Sequence, residues 1–173
     1  KVMKVLPREQ LRDPIHVEAL AAIVEDLAAT GRAKEGLALV DAGLHKHPDA
    51  IPFLALRGRA LQLSGAPVAS VRDAFERALA LDARNGVALV GLARLEADTG
   101  SKEASLVLYD RAVAADENDR TAAREAASLL VALGRSSEAE ERWMALLQQH
   151  PYDAAAARSL AELRLARGAG DQR

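Results

Sequence analysis

The 173-residue chain contains no cysteine. Disulfides, thiolate metal sites and cysteine nucleophiles are excluded, although the absence does not identify a compartment. Aromatic residues make up only 3 % of the chain, which favours helices packed through small side chains over a β-sandwich. Neither sign of charge dominates, with 23 basic residues against 25 acidic ones. No bulk field therefore draws in nucleic acid or a membrane surface. No apolar run approaches the roughly 18 to 20 residues of a membrane-inserted span, and no signal-peptide pattern opens the chain. Phosphate loops, HExxH and GxSxG are missing as well. Catalysis within these residues is not expected, and nothing calls for a cofactor. The first residue is Lys1 rather than Met, so a fragment or a processed chain is expected.

Half of the residues are hydrophobic, with Ala and Leu dominant, enough to bury a continuous core without staples. Glycines set a period. Gly31, Gly65, Gly100 and Gly134 are separated by 34, 35 and 34 residues. Each lies between two amphipathic runs, where glycine ends a helix in the left-handed conformation. Pro48 and Pro151 stand 103 residues apart, three periods of 34 plus the same single extra residue. Two independent helix breakers thus share one spacing.

The second run of each period ends in polar, turn-forming residues: LHKHPD at 44–49, LDARN at 81–85, ADEND at 115–119 and QQHPYD at 148–153. Asp119 and Asp153 are candidate N-caps, Pro67 suits a first helical turn, and Ser137 with Glu140 has capping-box spacing. Apolar residues recur at steps of three and four with no sustained alternation. The pattern predicts helix, turn, helix four times over, then one closing helix. His45 and His47 are two residues apart, about 200° around a helix, so they cannot converge on one metal ion. His47 and His150 instead precede equivalent prolines, where a basic side chain favours a helix C-terminus. No metal site is predicted.

The recurring positions are specific. The first unit has Leu20, Ile23-Val24, Leu27, Gly36, Val40 and Pro48; the second has Leu54, Arg57-Gly58, Leu61, Val71, Phe75 and Ala78. The third has Leu89, Leu92-Ala93, Glu96, Ser105, Tyr109 and Ala112; the fourth has Ala123, Ala126-Ala127, Leu130, Ala139, Trp143 and Pro151. In this arrangement the sequence resembles the tetratricopeptide repeat family over about 17–168. The resemblance implies an all-α fold, a right-handed solenoid of stacked helix pairs. Val40, Phe75, Tyr109 and Trp143 would fill the gap between paired helices, and Gly58, Ala93, Ala127 and Ala161 would let them approach. The expected organisation is an N-terminal arm or upstream linker at 1–13 and a repeat domain at 14–168. Its units fall at about 17–50, 51–85, 86–119 and 120–153, with a polar-faced capping helix at 154–168 and a tail at 169–173.

In that family the first helices of the pairs line a concave, peptide-binding groove. Carried over by position, the face comprises Glu18, Ala21, Glu25 and Ala28, then Ala55, Arg59 and Gln62, then Val87, Val90, Arg94 and Asp98. The fourth unit adds Thr121, Arg124, Ser128 and Val131, and the closing helix Arg158, Glu162 and Leu165. Arg59, Arg94, Arg124 and Arg158 form a ladder suited to carboxylates, with Ala21 and Ala55 leaving room for ligand side chains. Ala21 and Glu25 stand where the family's carboxylate-clamp variety sets Lys and Asn, a departure from chaperone-tail binding. The chain has 18 arginines, so several would reach that face by chance. The expected function is a non-catalytic scaffold for a peptide partner, with an acidic one favoured. Self-assembly into homo-oligomers, and service as a regulatory domain of a larger enzyme, are the alternatives. Ala, Leu and Arg usage points to a GC-rich bacterial gene, with a cytoplasmic or periplasmic product.

Overall fold

The structure, a computed structural model, describes residues 14–170, with side chains described over 18–168. The arm expected at 1–13 and residues 171–173 of the expected tail lie outside the described residues. Within the described residues the chain is all-α and has nine helices: α1 Pro14–Ala29, α2 Ala33–Lys46, α3 Ile51–Leu63, α4 Val68–Leu81, α5 Gly86–Asp98, α6 Lys102–Ala115, α7 Arg120–Ala132, α8 Ser136–Gln149 and α9 Ala154–Gly170. Helices α2, α4, α6 and α8 each have 14 residues, and α3, α5 and α7 each have 13. The sequence period is thus a period of helix pairs.

The chain reversals explain the period. Gly31, Gly65, Gly100 and Gly134 have φ of +75°, +71°, +96° and +75°, and no other described residue has positive φ. After each glycine the next amide reaches back five residues: Arg32 N–H donates to Leu27 O, Ala66 to Leu61 O, Ser101 to Glu96 O and Arg135 to Leu130 O. This Schellman closure satisfies carbonyls that the helix end would otherwise orphan. The other reversals close differently. His47, Asp82, Asp116 and His150 are C-caps whose N–H groups bond Gly43, Ala78, Ala112 and Leu146 oxygens. The two histidines of the HP turns are therefore helix-end residues.

The next helix starts on a side-chain cap in three places. Asn85 Oδ1 accepts from Ala88 N–H at 3.0 Å, Asp119 Oδ1 from Thr121 and Ala122, and Asp153 Oδ1 from Ala156 at 3.0 Å. Pro67 sits at the N-cap of α4, one place before its first helical residue. The capping box expected of Ser137 and Glu140 does not form. Helix α8 already begins at Ser136 with Arg135 as N-cap, and Glu140 Oε1 and Oε2 instead accept from Arg164 and Arg167 of α9 at 2.7 and 2.6 Å.

The chain divides into two compact units, one ending at Leu95 and the other beginning at Glu96, within α5. In the first unit each of α1 to α3 packs against its successor, and α1 also meets α3. Leu20, Val24, Val40, Phe53, Leu56 and Ala60 form one core cluster. Phe75 of α4 is fully buried and lies against two glycines, Gly58 of α3 and Gly91 of α5. In the second unit α6 to α9 pack in succession and α7 meets α9. Tyr109 and Trp143 are buried, as are Ala126, Ala127, Leu130 and Leu146 of its apolar interior. Ala161, expected at a close helix–helix approach, is exposed. No helix follows α9 among the described residues, so nothing there covers that face.

Candidate functional site

Within each unit, first helices of neighbouring repeats lie side by side, α1 with α3 and α7 with α9, so equivalent residues can meet. In the first unit Arg59 Nε donates to Glu25 Oε1 at 2.6 Å and Nη2 to Oε2 at 3.1 Å. These residues are 34 apart, one repeat. Arg59 Nη1 also donates to Gln62 Oε1 at 3.2 Å. Three predicted face residues are therefore brought together, but the arginine fork is occupied by its own chain. Arg94 lies half-buried on α5. Ala55 and Val90, expected to line an open face, are buried at 2 % and 8 % exposure. For Ala55 the reason is the packing of α1, α2 and α4 against α3, which buries a short side chain on an interior helix. Val87, one turn earlier than Val90, remains exposed.

The second unit carries a more open arrangement. Arg124 Nε donates to the Arg120 carbonyl at 3.1 Å, and Nη1 stands 3.9 Å from Asp153 Oδ1. Asp153 is buried as the N-cap of α9. Its carboxyl titrates below the ordinary aspartate range, held there first by the Ala156 N–H and then by the charges of Arg124 and Arg120, against the opposing effect of burial. Arg158 is exposed and has no ion-pair partner among the described residues. Asp98 is exposed at the last residue of α5.

One turn beyond Arg124, Ser128 borders a cavity of about 300 Å³ shared by α7, α8 and α9. Ser128, Val131, Ser159, Glu162 and Ala166 surround it, and Trp143 contributes from α8. The Trp143 Nε1–H is buried without a hydrogen-bond partner. Ser128 and Glu162, both predicted face residues, thus share one concavity. Ser159 and Ala166 escape the sequence reading, although they continue with Glu162 an i, i+3, i+7 stripe that could mark them. Arg120 escapes it as well. Its equivalents in the other repeats are Ile51, Gly86 and Ala154, the first residues of their helices, so periodicity offers no signal.

No protein-family model matches the chain, and no curated protein is significantly similar to it in sequence. Solved structures do resemble it. TTC0263, a thermophilic TPR (tetratricopeptide repeat) protein of Thermus thermophilus, has a TM-score of 0.74 at 16 % identity, covering 91 % of this chain and 86 % of that one. The fold is that of a tetratricopeptide-repeat protein. MamA is similar to the chain with a TM-score of 0.68 at 16 % identity, over 84 % and 85 % of the two chains. YrrB, a TPR protein with an unusual peptide-binding site, gives 0.61 at 21 % identity, over 86 % and 76 %. At such identities the likeness is one of fold. Four helix pairs and a closing helix account for all nine described helices. None of them is long and apolar enough to cross a membrane.

Proposed function

We propose that the chain is a non-catalytic scaffold that binds a peptide or partner segment on the face of its first helices. The observation that carries this reading is the α7–α9 concavity, where predicted face residues Ser128 and Glu162 border one cavity. A peptide-binding structural neighbour in YrrB supports it. Arg124 and Arg158 are the anchors for an acidic partner in the second unit, and Arg94 is one in the first. Arg59 is a weaker one, because Glu25 already fills its fork. Gln62 in the first unit and Asp98 in the second are further polar contacts, consistent with a few anchors supplying most of the binding energy.

The test is selection from a random-peptide library, followed by anisotropy titration of the enriched peptides. Acidic sequences should be enriched, and Arg94→Glu with Arg124→Glu should abolish their binding while far-ultraviolet dichroism stays unchanged. Absence of any enriched peptide overturns the scaffold reading; retained affinity in the double variant removes the arginines from it.

A second reading is self-assembly, favoured by the bare outer side of α9, where Ala161 and Leu165 are exposed. Sedimentation across a concentration range separates the two, since a strictly monomeric protein excludes assembly.

A further inference from the structure

The α7–α9 surface has two chemically different ends. At the end where both helices start stand Arg120, Arg124 and Arg158, with the carboxylates of Asp119 and Asp153 beside them. Asp119 is already committed to capping α7, and Asp153 to capping α9. The Arg124–Asp153 approach of 3.9 Å places the start of α9 beside Arg124, so the positive end of that helix dipole adds to the same field. Toward the helix C-termini the surface turns apolar. Val131 is 42 % and Leu165 74 % exposed, and the cavity is lined by Val131 and Ser128, with Glu162 on its border.

The two ends are offset by a repeatable distance. Ser128 follows Arg124 by four residues and Glu162 follows Arg158 by four, about 6 Å along each axis at 1.5 Å per residue. That is close to the roughly 6.6 Å spanned by two residues in an extended chain, whose side chains at i and i+2 point the same way.

From these observations we infer that the α7–α9 surface reads a short extended segment with an acidic side chain and a large apolar side chain two residues apart. The carboxylate pairs with Arg124 and Arg158, and the apolar side chain enters the cavity beside Val131. Glu162 acts by repulsion: a second carboxylate at the cavity end would face it, which sets the order of the two groups relative to the surface. This inference rests on the scaffold reading above and narrows it to one partner chemistry.

The probes are labelled dodecapeptides on a Gly/Ser background, with one pair of residues varied: Glu-x-Leu, Leu-x-Glu, Lys-x-Leu, Glu-x-Ser and Glu-x-x-x-x-Leu. Binding is read by fluorescence anisotropy at low and moderate salt. The better of the two Glu/Leu orders should bind about ten-fold more tightly than Lys-x-Leu, Glu-x-Ser or the wide-spaced peptide, the size of one anchor's contribution. Arg158→Glu should remove the preference for Glu over Lys. Val131→Asp should remove the preference for Leu over Ser, and Ser128→Trp, which fills the cavity from its edge, should do the same if Val131→Asp fails to fold. Equal affinity for all five probes overturns the inference. So does a preference that survives Arg158→Glu and both cavity variants. If the random library yields binders that ignore these variants, this inference fails while the scaffold reading stands; if it yields none, both fail.

Discussion

The ring of Phe75 packs directly on Gly91, so closely that a Cβ at residue 91 would overlap it. From the other side a Cβ at Gly58 would lie 2.5 Å from the ring Cδ1. One aromatic of α4 is thus received by two glycines, on α3 and α5.

Gly91→Ala is therefore expected to destabilise the protein. Alanine gains roughly 1 kcal/mol in helix propensity over glycine, but overpacking a filled core costs about 1–3 kcal/mol. The clash wins because the obstacle is a fully buried ring rather than a mobile side-chain end. Urea melts of Gly91→Ala, Phe75→Leu and the double variant test this. The smaller side chain should relieve the glycine substitution, and additive effects would contradict the packing account.

Gly36 makes the opposite case. A Cβ there would meet Val24 at 3.6 Å, ordinary contact for a residue of helix α2. Gly36→Ala should raise stability by about 0.5–1 kcal/mol. Gly134→Ala, with open space around it but φ of +75°, should lower stability by about 1 kcal/mol for backbone reasons alone. The two alanine substitutions should shift the urea midpoint in opposite directions.

Asp153 gives a pH dependence with a defined sign. Its native carboxyl is held below the ordinary aspartate value, so its contribution is fully present above that ordinary value. It is lost as pH falls through the lower native value. Asp153→Ala should cost about 1 kcal/mol at neutral pH through loss of the α9 cap, and the difference from wild type should shrink progressively below about pH 4. Chemical denaturation at pH 7 and pH 3 measures it; a constant difference would mean that the charge plays no part.

The Glu25–Arg59 pair is expected to matter little for stability. Both side chains remain partly exposed, at 47 % and 26 %, and such pairs contribute about 0–1 kcal/mol. A double-mutant cycle should give a coupling in that range that declines with added salt. A large, salt-insensitive coupling would show that the pair is a structural clamp.

Much of the fold is legible in the residues. The four glycines of the 34-residue period are the four with positive φ, and Asp119 and Asp153 cap the helices they precede. Val40, Phe75, Tyr109 and Trp143 all prove to be buried. The departures share one cause. Glu140 has the spacing of a local capping box but pairs with Arg164 and Arg167, more than 20 residues away. Ala161 matches repeat equivalents that have a helix against them, whereas its own face is bare. Ala55 reads as open from its place on the helix, because the packing around α3 leaves no mark in the local pattern.

The sequence by itself determined where the chain reverses and which large side chains fill the core. Those choices depend on φ preferences, capping atoms and a 3.6-residue period acting within a few residues. Only the tertiary structure decided that Glu25 occupies Arg59, that Asp153 sits beside Arg124, and that α7 and α9 line an open concavity against Trp143. Charge compensation and concavity arise from distances between residues up to a repeat apart. Those distances exist only once the helices have packed side by side.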